Sequence, residues 1–289
     1  MSRWVPAMPS LPSFSALFAD ARERPPITLA GVFKAMQTQA RVVWALMLRE
    51  TISRYGDYKI GFLWAFIEPL LTVIVLVGIF SAVRSGNPGG MELIPFMLTG
   101  ICAFSLFKDP LTQMQTAISQ NKTLLAFPQV TTFDVLMSRA LMEVSIAAFV
   151  FAFLLSMAHL FGFESDIERP LGLLAALGLL TTIGIGFGFL FASLEPMIPS
   201  IKQVSSLMMG RPLFLSSGLF FTADSMPPQV REYILYNPIL HCMELLRSEY
   251  FHEFDSSHGS WTYASGWAFG VLAVGLASHR GFRRKVYRN

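Results

Sequence analysis

The chain has 289 residues, of which 53% are hydrophobic and 14% charged, against about 25% charged residues in ordinary soluble domains. This composition excludes a soluble globular domain and predicts an all-α polytopic membrane protein. The net charge of +3 comes from basic residues spread over loops and ends, so nucleic-acid binding is not expected. The two cysteines, Cys102 and Cys242, are too few for a disulfide framework or a zinc site.

The first part of the chain is a proline-interrupted stretch followed by an amphipathic helix. Residues 1–27 contain Pro6, Pro9 and Pro12 and lack the apolar core of a signal peptide, so they are predicted to form a cytoplasmic tail. From 28 to 56, apolar residues recur at spacings of three and four, which predicts a helix lying in the membrane interface. Packing against another domain would favour the same pattern.

Six apolar segments are predicted to cross the bilayer, which takes about 20 helical residues. They lie in a transmembrane domain over 57–289 and cover 60–83, 93–111, 135–161, 171–194, 204–222 and 259–279. The second reaches Lys108 and Asp109, so it is short, tilted or continues past that pair. The third opens with Arg139 and Glu143, which lie four residues apart and can pair. In the fourth, the Gly-x-Gly-x-Gly run over 184–188 lets another helix approach closely.

The segment 230–255 is apolar but carries several charges, so it cannot span a membrane cheaply. It is predicted to form a re-entrant helical hairpin before the last span, broken at Tyr236, Asn237 and Pro238. With this assignment the lysines and arginines concentrate on the side of both termini. The positive-inside rule then places both termini in the cytoplasm.

Motifs for chemistry are absent from the sequence. It contains no Gly-Lys pair and hence no phosphate-binding loop, and neither G-x-S-x-G nor H-E-x-x-H occurs. A polar path through the membrane therefore has few candidates. Glu68 lies inside the first span beside Pro69, which cannot donate a hydrogen bond to the carbonyl of Ala65. Arg211 lies inside the fifth span.

The start of the first span carries a recognisable pattern, R-Y-x-x-x-x-x-G-x-x-W-x-x-x-x-P-L, formed by Arg54, Tyr55, Gly61, Trp64, Pro69 and Leu70. Together with the preceding interfacial helix, six spans and a Tyr-Asn-Pro re-entrant segment, it resembles the membrane subunit of ABC-2 type exporters. The resemblance is greatest to capsular polysaccharide export permeases and covers the chain from about Thr28 onward.

The resemblance implies a homodimer bound to two copies of an ABC nucleotide-binding subunit, in the bacterial inner membrane. ATP and Mg²⁺ would bind that partner, and this chain would hold no cofactor. The implied substrate is a lipid-linked acidic polysaccharide, with periplasmic and outer-membrane export proteins as further partners. An exporter of O-antigen or a teichoic-acid-type polymer is the alternative, and an independent channel or membrane enzyme is the other class.

The resemblance also implies roles for individual residues. The polar segment 113–134 resembles a coupling helix that docks on the ATPase, with Asn121, Lys122, Leu124 and Phe127 as contacts. An ordinary amphipathic loop would show the same pattern.

Substrate binding is expected near the start of the first span. Arg49, Arg54 and Lys59 could hold an anionic lipid or glycan terminus by charge-assisted hydrogen bonds, although positive-inside anchoring accounts for them equally well. Aromatic faces suit the apolar faces of sugar rings. The expected substrate-binding set is Arg49, Arg54, Tyr55, Tyr58, Lys59, Trp64, Glu68 and Arg211.

Overall fold

A computed structural model of the protein describes residues 29–55, 61–83, 88–127, 129–163, 167–198, 200–209 and 211–286. These residues form ten α-helices joined by short turns, and they contain no β-strand. The helices are α1 (Leu29–Tyr55), α2 (Gly61–Val83), α3 (Leu93–Gln120), α4 (Thr132–Leu160), α5 (Pro170–Leu194), α6 (Ile201–Met209), α7 (Arg211–Ser216), α8 (Pro228–Ile234), α9 (Pro238–Tyr250) and α10 (Trp261–Val286).

The chain divides into two compact units, residues 1–41 and 42–289. The described part of the first unit is the beginning of α1, where Thr38 donates a hydrogen bond to the carbonyl of Lys34. The second unit begins within α1 and contains all the other helices.

Within the second unit, α3 is the central helix. It packs against α4, α5 and α2, and α5 in turn packs against α10 and α9. Phe96, Phe104 and Phe107 of α3 are buried in the main apolar core. Most residues of α3 are buried among these helices, whereas Lys108, Thr112, Ser119 and Gln120 are exposed.

Two glycines of α5 allow this close packing, as the Gly-x-Gly-x-Gly run predicted. A Cβ atom at Gly184 would overlap the backbone of Phe107 in α3. One at Gly186 would overlap the backbone of Val271 and Leu272 in α10. Glycine therefore lets α5 lie directly against the backbones of two neighbouring helices.

Four helices are long and apolar enough to cross a membrane among the described residues: α2, α3, α4 and α5. They differ in burial. Residues of α2 are mostly exposed, whereas those of α3 are mostly buried. Together, these four helices support an all-α polytopic membrane protein.

Several helix ends differ from the bounds of the predicted segments. Helix α3 continues through Lys108 and Asp109 to Gln120. The segment 204–222 contains part of α6, all of α7 and an irregular stretch from Ser217. The segment 230–255 contains α9 and the end of α8, separated near Asn237, whose side chain accepts a hydrogen bond from the backbone N–H of Ile239.

The turn between α3 and α4 is short and capped at both ends. Asn121 ends α3, and its backbone N–H donates to the carbonyls of Ala117 and Ile118. Thr131 and Asp134 form a reciprocal capping box that starts α4. Between these caps the chain makes one 3₁₀ turn, Leu124–Ala126.

Candidate functional site

A cavity of about 440 Å³ lies between α2, α3 and α4. That volume is within the range of small-molecule sites, about 300–1,000 Å³. Its polar and charged lining consists of Arg54, Glu68, Thr72, Ser105, Lys108, Asp109, Gln113 and Glu143. Its aromatic lining consists of Trp64, Phe104 and Phe214.

The charged residues of the cavity come from four helices. Arg54 is near the end of α1, Glu68 lies in α2, Lys108 and Asp109 lie in the middle of α3, and Glu143 lies in α4. Three of these helices are candidate membrane spans, and an ionisable residue inside a span normally faces a partner or an aqueous path. The charged residues of these three spans line one shared cavity.

Among the described residues, the five charged side chains of the cavity form one ion pair with each other, between Arg54 and Glu143. The Nη1 atom of Arg54 lies 2.6 Å from Oε1 of Glu143. The side chains of Glu68, Lys108 and Asp109 make no hydrogen bond or ion pair with any residue that the structure describes. Three charged groups therefore face the cavity without a described protein partner.

Two prolines lie next to acidic residues of the cavity, and one of them, Pro69, is itself a lining residue. Pro69 follows Glu68 in α2, and Pro110 follows Asp109 in α3. Neither proline has an N–H to donate to the carbonyl four residues earlier, and for Pro69 this is the carbonyl of Ala65, a lining residue. Each acid is thus beside a point where the helix supplies one hydrogen-bond donor fewer.

A set of charged and amide side chains, the ionic junction, joins α1 to the facing ends of α3 and α4. Its members are Arg49, Glu50 and Arg54 of α1, with Gln120, Asn121, Arg139 and Glu143. Every one of these side chains contacts another member. The junction ends at the cavity, because its Arg54–Glu143 pair also lines the cavity wall.

Distances within the ionic junction show good hydrogen-bond geometry. Arg49 donates to Oδ1 of Asn121 at 2.8 Å. Arg139 lies 2.9 Å from Glu50 and donates to Gln120 at 2.8 Å. The spacing of Arg139 and Glu143 would allow them to pair with each other. Instead, Arg139 pairs with Glu50 of α1, and Glu143 pairs with Arg54 of α1.

The residues expected to contact the ATPase occupy different environments. Asn121 is buried and its side chain bonds to Arg49 and to the carbonyl of Ala117. Lys122 is exposed, Leu124 is half-buried and Phe127 is 60% exposed. Of these four residues, Lys122 and Phe127 are exposed, and Asn121 lies on the inside of the turn.

The structure brings together three of the residues expected to bind substrate, Arg54, Trp64 and Glu68, in one cavity. Arg49 lies in the ionic junction instead. Tyr58 and Lys59 lie outside the described residues, and so do the side chains of Tyr55 and Arg211, although Tyr55 ends α1 and Arg211 begins α7.

Sequence reasoning did not assign three charged residues and one amide of the cavity lining to the site: Lys108, Asp109, Glu143 and Gln113. The signal was present in the charged pair Lys108 and Asp109 within an apolar run. The sequence left open whether the span ends near this pair or continues past it, and these residues lie in the interior of α3.

A second group of buried charges, the Arg247 cluster, lies around α9. It contains one cation, Arg247, and one acid, Glu244, and both form hydrogen bonds to the irregular stretch after α7. Arg247 is fully buried, and it donates hydrogen bonds to the carbonyls of Gly218, Leu219 and Phe221. Its guanidinium carbon also lies 3.7 Å from the centre of the Phe96 ring.

Both carboxylate oxygens of Glu244 in the Arg247 cluster accept hydrogen bonds. It accepts hydrogen bonds from the backbone N–H of Ala223 at 2.9 Å and from the hydroxyl of Ser256 at 2.6 Å. Burial lowers the pKa of Arg247 to about 10, and the charge of Glu244 opposes that lowering. Arg247 therefore stays protonated at neutral pH and satisfies carbonyls that have no helical donor.

Among the residues described, no three His, Cys, Asp or Glu side chains are grouped so that they could hold a metal ion. The cavity lining offers hydrogen-bonding, charged and aromatic side chains.

Comparison with known proteins places these features in a family context. Residues 41–251 match the family described as "ABC-2 type transporter". The chain is 29% identical over 244 residues to the polysialic acid transport protein KpsM of Escherichia coli, covering 84% of this chain and 94% of that protein.

Two further similarities are of the same kind. The capsule polysaccharide export inner-membrane protein CtrC of Neisseria meningitidis serogroup A is 31% identical over 260 residues, which is 88% of this chain and 95% of CtrC. The capsule polysaccharide export inner-membrane protein BexB of Haemophilus influenzae is 27% identical over 256 residues, again 88% and 95%.

Proposed function

The chain belongs to the ABC-2 type transporter family, and we propose on that basis that it is the membrane permease subunit of an ATP-driven exporter of lipid-linked capsular polysaccharide. It works in the bacterial inner membrane. The names of all three relatives refer to polysialic acid or capsule polysaccharide, which favours this substrate over O-antigen or a teichoic-acid-type polymer. The observation that carries the proposal is the polar cavity between three candidate spans.

Energy for transport comes from a separate subunit. The sequence has no phosphate-binding loop, which supports binding of ATP and Mg²⁺ by a separate ABC nucleotide-binding partner. In the proposed complex, two copies of that partner bind a homodimer of the permease. The turn between α3 and α4 is the docking surface, with Lys122, Leu124 and Phe127 as contacts. Phe127 supports this role because it is large, apolar and 60% exposed. Asn121 acts from inside the turn by holding Arg49.

The membrane arrangement follows from charge and length. We assign six spans, with α8 and α9 as a re-entrant hairpin before α10, and both termini in the cytoplasm. Support comes from the basic residues, which are concentrated at the side of the termini, and from the buried charges of α9, which suit a helix shielded by protein.

The substrate meets the protein first at the end of α1 and the start of α2. Arg49, Arg54 and Lys59 attract its anionic groups, Tyr55, Tyr58 and Trp64 contact its sugar rings, and Glu68 and Arg211 line its path. Arg54 donates from Nη1 to Glu143, so an anion that binds Arg54 shares the guanidinium with that carboxylate. Periplasmic and outer-membrane export proteins receive the polymer afterwards.

Copurification tests the docking surface and the function together. The wild-type chain, tagged and expressed in its host, should copurify with an ABC ATPase. The variant Leu124→Asp/Phe127→Asp should insert normally and lose the ATPase, because a charge at an apolar anchor leaves an unpaired group in the interface. Normal retention of the ATPase with continued export would show that docking occurs elsewhere, and absence of any ATPase from the wild-type preparation would contradict the exporter assignment.

Thiol labelling tests the orientation. Cys102 and Cys242 are buried, so an introduced cysteine should dominate labelling by an impermeant reagent. Cysteine at exposed Ser257 should react from the periplasm, and cysteine at exposed Arg280 only after the inner membrane is opened. Labelling of both from the same side would overturn the six-span arrangement.

A further inference from the structure

Two ion pairs of the ionic junction repeat with the same spacing on α1 and α4. Glu50 of α1 lies 2.9 Å from Arg139 of α4, and Arg54 lies 2.6 Å from Glu143. On each helix the paired positions are separated by about one turn, or about 6 Å along the axis. The sign of the charge alternates, so α1 presents an acid and then a base, whereas α4 presents a base and then an acid. These two pairs form the charge ladder.

Apolar contacts bring α1 close to α4 without selecting one register. Leu46 of α1 packs against the apolar cluster that contains Ile118 of α3 and Leu136 of α4. Hydrophobic burial is non-directional, so an apolar contact surface tolerates a slide of one helix along the other. An ion pair depends on which groups face each other, and complementary charges therefore determine the register of two packed elements.

A slide of α1 by one turn along α4 would bring like charges together in either direction. In one direction Glu50 would face Glu143, and in the other Arg54 would face Arg139. In both cases the remaining charge of α1 would face an apolar position of α4. The four side chains are only 7–25% exposed, so solvent ions screen this repulsion incompletely. The alternation of sign therefore disfavours both slides.

The charge ladder reaches the turn between α3 and α4 at one end and the cavity at the other. Arg139 also donates to Gln120 at 2.8 Å, and Gln120 is the last residue of α3 before the turn. At the other end, Arg54 and Glu143 line the cavity. A continuous series of side-chain contacts thus runs from the turn to the cavity wall.

We infer that the charge ladder holds α1 in one register on α4, so that the docking turn, α4 and residues 42–55 of α1 move as one body and carry a displacement of the turn to the cavity wall. Glu50 and Arg139 are positioning residues, since they do not line the cavity and act through the Arg54–Glu143 pair. The transmission rests on the proposed function, in which an ATPase docks on the turn. The register rests on the ion pairs alone.

Exchange of the charges in the first pair separates the alternation of sign from the number of ion pairs. The double variant Glu50→Arg/Arg139→Glu keeps two ion pairs in the native register. Both cations then lie on α1 and both acids on α4, so a slide of one turn no longer brings like charges together. The alternation is the only feature of the ladder that this variant removes.

The measurement uses the full-length permease with its ATPase in inverted inner-membrane vesicles. Coupling is the amount of radiolabelled polysaccharide transferred into the vesicles for each ATP hydrolysed. For the double variant we expect normal copurification of the ATPase, a melting temperature close to wild type and coupling reduced about tenfold. Unchanged coupling in this variant would overturn the proposal.

Two sets of controls accompany the double variant. Each single variant, Glu50→Arg or Arg139→Glu, places like charges in the first pair and should lower the melting temperature, which the double variant should restore. The exchange Glu168→Arg/Arg169→Glu reverses a pair of 3.1 Å outside the ladder without changing the net charge, and coupling should stay as in wild type. An equal loss of coupling in this exchange would contradict a specific role of the ladder.

A covalent link across the first pair tests the register after its charges are removed. In Glu50→Cys/Arg139→Cys a short bismaleimide can join the two introduced thiols, because Cys102 and Cys242 are buried. Coupling should be low before linking and should recover towards the wild-type value after it, whereas the single-cysteine variants should not respond to the reagent. Failure of the thiols to link, or a further loss of coupling on linking, would show that α1 is free to slide or must slide along α4, and would overturn the proposal.

The permease without its ATPase separates this inference from the proposed function. If the cysteine pair links efficiently in the permease alone but the wild-type chain binds no ATPase, the register stands and the exporter assignment is wrong. If the ATPase is bound and neither the exchange nor the link changes coupling, the exporter function stands and the role of the ladder is wrong.

Discussion

The Arg247 cluster and the cavity both place charged side chains among apolar helices, but they satisfy those charges in opposite ways. Arg247 is completely buried and donates to three carbonyls of the irregular stretch after α7. Glu68, Lys108 and Asp109 have no such partner among the described residues. The protein itself satisfies the first group, whereas the second group is open to an occupant.

This difference distinguishes charges that the protein itself satisfies from charges without a described partner. Both groups look alike in sequence, as ions interrupting apolar segments. In the Arg247 cluster the cation replaces helical hydrogen bonds that the chain gives up between α7 and α8. The ionic junction is intermediate, because its charges are paired by side chains and one pair borders the cavity.

The largest effect on stability is expected at Arg247. Arg247→Met keeps the approximate volume but leaves the carbonyls of Gly218, Leu219 and Phe221 without their donor, and it leaves Glu244 without a nearby cation. We expect a loss of about 3–5 kcal/mol in the free energy of unfolding. Thermal unfolding in detergent, followed by size-exclusion chromatography with fluorescence detection, should show a large fall in melting temperature or no folded protein.

The control for this variant is Arg169→Met. Arg169 has a side chain that is 62% exposed, and it lies 3.8 Å from Glu249. Exposed pairs contribute about 0–1 kcal/mol, so its melting temperature should stay close to wild type. Similar stability of the two variants would mean that the Arg247 cluster is not what holds the irregular stretch.

A smaller effect is expected at the Arg54–Glu143 pair. Arg54→Gln leaves the buried carboxylate of Glu143 without its cation, and we expect a loss of about 1–2 kcal/mol in unfolding free energy. The double variant Arg54→Gln/Glu143→Gln should recover most of it, because two amides can hydrogen-bond without a buried charge. Thermal unfolding of the single and double variants gives the coupling energy.

Two further variants define the role of that pair. Arg54→Lys keeps the charge but not the planar guanidinium, so a partial loss would show that the geometry of the guanidinium matters. Arg41→Gln, at an exposed position earlier in α1, should have no effect on stability. Purely additive losses in the double variant would mean that the two side chains do not stabilise each other.

The smallest effect on stability, together with a large effect on transport, is expected at Glu68. Because its carboxylate has no described partner, Glu68→Gln should change unfolding free energy by less than about 0.5 kcal/mol. Export of capsule should fall at least about tenfold, as expected for loss of a charged hydrogen bond to the substrate. Export is measured by quantifying surface polysaccharide in a complemented deletion strain.

A contrary result at Glu68 would contradict the distinction between the Arg247 cluster and the cavity. If Glu68→Gln destabilised the protein as much as Arg247→Met while Glu195→Gln did not, then Glu68 would have a protein partner and belong with the structural charges.

The sequence alone was sufficient for the class of protein, the family and the location of most helices. Long apolar runs force a helical, membrane-embedded fold, because backbone groups in lipid must be satisfied within the chain. The Gly-x-Gly-x-Gly run predicted close packing of α5 for the same local reason, the missing Cβ. Glu68 was identified from a single fact, a carboxylate inside an apolar span.

Only the tertiary structure determined which charged side chains lie close to one another. Lys108 and Asp109 could have ended a span, and only the continuation of α3 to Gln120 places them in the cavity. Arg139 and Glu143 could have paired along α4, but α1 supplies each with a different partner. Local sequence fixes helices through short-range hydrogen bonds, whereas partners of opposite charge are chosen by contacts between residues about 90 positions apart, such as Arg54 and Glu143.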